Sequence, residues 1–174
     1  MEPYYRKITS LHQLLINGLE NLLSTEVQLE ECLENWIATA NSMQLKAILQ
    51  KYHAFITQHK QDLEDIMEES ATDASIIVDP IMEICIKETN EKIQLCTNVK
   101  VRDACILASI QLINHFKISA YGTAAAFAKE LDMEKVCPIF HKMKINEKQI
   151  DDRLSQLAEY EINRNARTPI VITD

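Results

Sequence analysis

Hydrophobic positions recur along most of the chain at intervals of three and four, the spacing of helices that bury one face. The first stripe reads Leu15, Leu19, Leu22, Glu26, Leu29, Leu33 and Trp36, behind a capping box at Ser10 and Gln13. It predicts a helix reaching about Ala38. After Asn41-Ser42 the period resumes as Leu45, Ile48, Tyr52, Phe55 or Ile56, His59, Leu63 and Ile66, a second helix ending near Glu69. Ser70 to Asp79 has no helical period and reads as a connection. Asp79-Pro80 is an N-cap followed by a first-turn proline, opening a short helix to about Leu95. Thr97-Asn98 breaks it and caps a third long helix, about Lys100 to Leu131, whose core line is Ile106, Ile110, Ile113, Lys117, Ala120, Ala124 and Phe127. Asp132 is read as the cap of a fourth, carrying Phe140, Met143, Glu147, Ile150, Leu154 and Leu157 to about Asn163.

Four helices of this length with a long second-to-third crossover predict an all-α, ferritin-like four-helix bundle, the short helix lying in the crossover. One domain covers residues 1–174, its core about 10–164 and its tail 165–174, where the apolar patch from Pro169 to Ile172 is positioned to dock. From Ala104 to Ala128 the only charged residue is Lys117. Ser109, Gln111, Asn114, His115 and Lys117 make membrane insertion costly, so the stretch reads as the buried central helix of the bundle.

Composition narrows the chemistry. Only Gly18 and Gly122 are glycines, which excludes a Rossmann turn or a P-loop. A net charge of −8 disfavours nucleic acid and anionic membranes. The opening MEPYYRKITS has no apolar segment of the secretory kind, which points to a cytoplasmic protein. Cys32, Cys85, Cys96, Cys105 and Cys137 make an odd number without a zinc-like spacing, so they read as small buried hydrophobes free of disulfides.

Three charged residues occupy core positions: Glu26, Lys117 and Glu147. In a bundle they can meet at one level, and a buried charge needs a partner. The simplest arrangement sets Lys117 between the two glutamates, with Tyr52 and Asn114 donating hydrogen bonds. The alternative is wider stripes whose charges reach solvent at helix edges. A di-metal carboxylate site uses Glu-x-x-His pairs. Here His12, His53, His59, His115 and His141 follow Thr9, Gln50, Ile56, Leu112 and Pro138, none of them a carboxylate.

The run from Asn114 to Thr123 resembles the EHYEIAAYGT segment of the YciF-like bacterial ferritin-like proteins. Val101-Arg102-Asp103-Ala104 is similar to that family's VRDA helix start, Glu26 to Leu29 to its AEKQL segment, and Glu147 to Ala158 to its EEKAxDxKLTxLA segment. The likeness spans about Leu11 to Ala166 in the same order. It implies a ferritin-like bundle, a di-metal site, dimers and a loose link to bacterial stress, with no established substrate. Carried across, the acidic pair of EHYE falls on Asn114 and Lys117. The family's HLEET segment falls on Tyr52 to Ile56, placing its histidine and glutamates at Tyr52, Ala54 and Phe55. One of two adjacent glutamates becomes Asn146, while Glu26, Glu147 and Asp151 match.

Most of the implied ligands are thus replaced, and Lys117 stands where metal charge would balance Glu26 and Glu147. The expectation is a metal-free, cofactor-free and non-catalytic bundle acting through its surface, as a homodimer or with a protein partner. One alternative is a residual site for one Fe or Mn ion, through Glu26, Glu147, Asp151 and His59 or His115. Another is an enzyme using Lys117 as a base or Schiff-base lysine.

Overall fold

A computed structural model describes residues 7–70 and 78–167. Along them run α1 (Leu11–Thr39), α2 (Met43–Glu69), α3 (Pro80–Leu95), α4 (Val99–Glu130) and α5 (Cys137–Leu157). A single π-helical turn (Ala158–Ile162) and a last α-helical turn, α6 (Asn163–Ala166), continue α5. The expected segments 71–77 and 168–174, with the connection and the Pro169–Ile172 patch, lie outside the described residues.

Side chains begin four of the helices by accepting main-chain N–H groups that have no intrahelical partner. Ser10 accepts from Gln13 at 3.1 Å, and Ser42 accepts from Leu45 at 3.2 Å. Asp79 accepts from Ile81 at 2.9 Å, and Asn98 accepts from Lys100 at 2.8 Å. The fifth start differs from expectation. Asp132 does not cap α5 but stops α4, with a φ of 54° in the left-handed region that aspartate tolerates. The N–H of Met133 bonds to the Ala128 carbonyl at 2.9 Å and that of Asp132 to Lys129 at 3.2 Å, a Schellman ending. α5 then begins at Cys137 behind Val136, with Pro138 in its first turn and no side-chain cap.

The four long helices pack as a square. α1 lies against α2 and α4, and α5 lies against the same two, while α3 rests on α4 and α1. Thr25 donates to the Asp79 carboxylate at 2.8 Å and Trp36 Nε1 donates to Asn90 at 2.8 Å, so α3 runs alongside the second half of α1. Asp103, near the start of α4, accepts from the main-chain N–H groups of Asn41 and Ser42 at 2.7 and 2.8 Å. This joins the start of α2 to the start of α4, so the two are parallel and the crossover must climb the length of the bundle. Asp103 is buried. Asp103→Ala leaves two donors without an acceptor and is expected to lower stability by about 2 kcal/mol, read as a shifted urea midpoint. A change below about 0.5 kcal/mol would mean that water replaces the carboxylate.

The buried faces follow the 3-4 stripes closely in α1 and α5. In α4 the core line passes through Tyr121, Ala125 and Ala128, and Ala120 and Phe127 are only half-buried. Nor is α4 enclosed all round: Leu112 on its outer side is 61% exposed. Alanine-rich sequence hides that face, because alanine is as content in water as in a core. Among the described residues no helix is long and apolar enough to cross a membrane.

The core itself is divided. One apolar cluster gathers Leu29, Leu33, Trp36, Leu49, Ile110 and Ile150 with their neighbours; the other gathers Leu15, Leu19, Leu63, Ala125, Phe140 and Met143. Between these two groups along each helix come Glu26, His59, Lys117 and Glu147, all fully buried.

Candidate functional site

The polar layer is assembled from all four bundle helices, one period position from each: Glu26 on α1, His59 on α2, Lys117 on α4 and Glu147 on α5. Each replaces an apolar residue in its stripe, so ordinary bundle packing aims all four at the axis. Lys117 Nζ stands 2.8 Å from Glu26 Oε2 and 2.8 Å from Glu147 Oε1. Its remaining side faces the Tyr52 ring, 4.7 Å from the centroid, a cation–π contact.

The second oxygen of each carboxylate is also occupied. Glu147 Oε2 accepts from the Tyr52 hydroxyl at 2.7 Å and from the Asn114 amide at 2.7 Å. Asn114 donates to the Glu147 main-chain carbonyl as well, at 3.1 Å, fixing α5 against α4. Glu26 Oε1 accepts from the Tyr121 hydroxyl. His59 Nδ1 lies 3.4 Å from Glu147 and 3.6 Å from Glu26, on the α2 side of the pair. Its ring is held between Phe55, stacked at 6.2 Å, and Tyr121, edge-on at 5.4 Å.

These contacts decide the charge states. Burial alone would strip the proton from Lys117, but the Glu147 and Glu26 carboxylates outweigh it and hold the ammonium above the usual lysine range. Burial likewise opposes charge on His59, and the adjacent Glu147 and Glu26 carboxylates outweigh it, so its pKa is raised. Burial opposes ionisation of Glu147, yet Lys117 and then His59 hold its carboxyl below the ordinary value. Tyr52 and Tyr121 are pushed far up by burial and by the neighbouring carboxylates, which keeps both as hydrogen-bond donors. With His59 protonated the layer holds two positive and two negative charges and is neutral.

Of the residues singled out from sequence, Glu26, Tyr52, Asn114, Lys117 and Glu147 come together here. Phe55 forms a wall of the His59 pocket without touching the charges. Asn146 does not face the carboxylates; its amide lies 3.2 Å from His59 Nε2. Asp151 is not in the layer. One turn beyond Glu147, it has rotated about 40° off the core line and pairs with His115 across the α4–α5 surface at 2.8 Å. His115, 63% exposed on its side chain, is equally remote.

Tyr121 escaped the sequence reading, and His59 entered it only as a stripe residue and a candidate ion ligand, not as a member of the charge cluster. His59 lay on the α2 stripe between Ile56 and Leu63, a position more often filled by a packed core histidine. Tyr121 was passed over for Ala120, although a step of four from Lys117 continues a 3-4 stripe as well as a step of three does.

A di-metal centre does not fit this set. Glu26, His59 and Glu147 offer ligand atoms within 4.8 Å of one another. The Lys117 ammonium, however, lies against both carboxylates, and every carboxylate oxygen already faces a donor. Three protein ligands around a fixed positive charge cannot supply the carboxylate-rich shell that two divalent ions require.

Comparison with known proteins places the chain among relatives of the same length. The family described as a domain of unknown function (DUF892) matches residues 10–167. The chain is 27% identical over 161 residues to Protein YciF of Escherichia coli (strain K12), covering 90% of this chain and 95% of that protein. The crystal structure of the E. coli stress protein YciF is similar with a TM-score of 0.84 at 25% identity, over 90% of this chain and 99% of that one. YcfI from Rhodopseudomonas palustris gives a TM-score of 0.82 at 25% identity, over 87% and 97% of the two chains.

Proposed function

This chain belongs to the DUF892 family, and we propose that within it the chain is a non-catalytic, metal-free bundle protein of the ferritin-like type. Its layer of Glu26, His59, Lys117 and Glu147 stands where the family resemblance implies metal, and holds the core together in place of ions. The observation that carries this reading is the Lys117 ammonium 2.8 Å from both carboxylates. A lysine there supplies the positive charge that a metal would otherwise supply, and it does so covalently and permanently. The protein then acts through its surface, as a homodimer or as a binding module for a protein partner. A stress-associated role is carried over from the E. coli relative, and a cytoplasmic location from the sequence, as part of the same proposal.

Lysine-based catalysis is disfavoured because a base or Schiff-base lysine needs a depressed pKa, and that of Lys117 is raised. A residual one-ion site has one observation in its favour, the convergence of Glu26, His59 and Glu147. An ion there would have to displace the ammonium against two short ion pairs.

Elemental analysis separates these readings. Protein expressed without a tag in medium supplemented with iron and manganese is expected to carry less than about a tenth of an ion per chain, since intact sites keep their metal through purification. Added Fe²⁺ or Mn²⁺ should leave the Tm unchanged. A stoichiometric ion, together with a metal-induced rise in Tm that Glu26→Gln abolishes, would establish the metalloprotein reading instead.

A further inference from the structure

The five cysteines are not equivalent, and none is fully buried: all are half-exposed free thiols. Cys32 and Cys137 point their sulfurs at main-chain carbonyls, those of Leu29 and Ala125, each at 3.5 Å. Burial pushes the Cys32 thiol up to about 12, which leaves it inert toward electrophiles at neutral pH. Cys96 and Cys105 are placed differently. Cys96 closes α3, its N–H bonded to the carbonyls of Lys92 and Ile93. Cys105 lies in the second turn of α4, and the two line one shallow surface depression with Lys92, Leu95 and Val101. Both thiols line it, near enough for Cys96 to act on the ionisation of Cys105.

We propose that Cys96 and Cys105 form a two-thiol modification site that hydrogen peroxide or a related hydroperoxide converts to an intramolecular disulfide, tying the end of α3 to α4. This site lies on the surface of the crossover, away from the buried charge layer, and is independent of the function proposed for that layer.

The chemistry balances with peroxide as sole oxidant. Cys96, half-exposed in the turn that closes α3, is the first thiol to react. Its thiolate attacks one peroxide oxygen; an S–O bond forms, the O–O bond breaks, and the departing hydroxide takes up the thiol proton as water. The Cys105 sulfur then attacks the sulfenic sulfur. The S–S bond forms, the S–O bond breaks, and a second water leaves with the Cys105 proton. Two thiols lose two electrons and one peroxide becomes two waters. Burial, followed by the neighbouring Cys96, raises the Cys105 pKa, while the Lys92 ammonium opposes that rise. Cys105 is thus suited to be the resolving thiol rather than the first attacked. α3 has few buried residues of its own, Met82 and Thr89, so a covalent tie at its end changes how firmly the crossover is held.

The full-length reduced protein, treated with equimolar hydrogen peroxide at neutral pH, alkylated with N-ethylmaleimide and analysed by intact mass and peptide mapping, tests this. The expected product has lost two hydrogens, takes up two fewer alkyl groups, yields a peptide pair joined through Cys96 and Cys105, and is restored by dithiothreitol. Cys96→Ser and Cys105→Ala should each remove that product, and Cys96→Ser, at an exposed turn, leaves the fold in place. The proposal is overturned if Cys96 and Cys105 stay fully alkylated, if the joined pair is intermolecular, or if Cys96→Ser still loses two hydrogens.

Discussion

Lys117→Met is expected to lower stability by about 3–5 kcal/mol, the cost of leaving buried charges without their counter-ion. Methionine nearly matches lysine in length and leaves little cavity, so the loss reports charge rather than packing. Without the ammonium, Glu26 and Glu147 face each other in an apolar interior, with only His59 to balance them. At the sensitivity usual for chains of this size the Tm falls by on the order of 10 °C. The companion variant is the triple Glu26→Gln, Lys117→Met, Glu147→Gln, which removes all three charges while keeping shape and most hydrogen bonds. Replacing a whole buried ion group by neutral residues is often close to neutral for stability, so the triple variant should recover most of the loss. Urea unfolding of the parent and both variants measures it. A single variant as stable as the parent would show that Lys117 does not hold the layer together.

Stability should be greatest between about pH 4.5 and 6.5 and should decline on both sides. The limits are the ordinary values of 4.5 for glutamate and 6.5 for histidine, from which Glu147 is lowered and His59 is raised. For a lowered carboxyl, the folded form favours the ionised state, so its contribution is present above the unfolded value and is lost as pH falls through the folded one. For a raised histidine the sign reverses. Its contribution is complete below the unfolded value and is lost as pH climbs through the folded one. Lys117, also raised, keeps its contribution until the pH exceeds the lysine value of 10.5, so it does not shape the neutral range. The partners of the protonated ring are Glu26, Glu147 and Asn146, whose amide, turned by half a rotation, offers its oxygen to Nε2. Thermal melts across the range, repeated on His59→Gln, isolate the alkaline limb. An unchanged slope between neutral and mildly alkaline pH in that variant would mean that His59 is neutral in the fold.

The charge layer was visible in the sequence only where it broke a pattern. Glu26, Lys117 and Glu147 each interrupt an apolar stripe, and an interruption by a charge is a strong signal because burying it is expensive. His59 and Tyr121 sent no such signal, since histidine and tyrosine sit in cores routinely and neither breaks a stripe. Asp151 misled for the opposite reason: family resemblance and a four-residue step from Glu147 both pointed inward, while the modest helical rotation carried it to the surface and to His115. The Asp132 error is of another kind. An aspartate between two helices suits both the end of one and the start of the next, and the choice depends on a left-handed φ that composition does not specify.

By itself the sequence determined the helices, the buried faces of α1 and α5, the all-α class and the placing of Glu26, Lys117 and Glu147 on core stripes, because periodicity and capping are local properties of the chain. Only the tertiary structure decided which donors reach which carboxylate oxygens, that the core is split in two by a four-residue polar layer, and that Asp103 caps a helix begun some sixty residues earlier. Those arrangements depend on the rotation of each helix about its own axis within the bundle. A rotation too small to disturb an apolar stripe is large enough to move a carboxylate from the core to the surface.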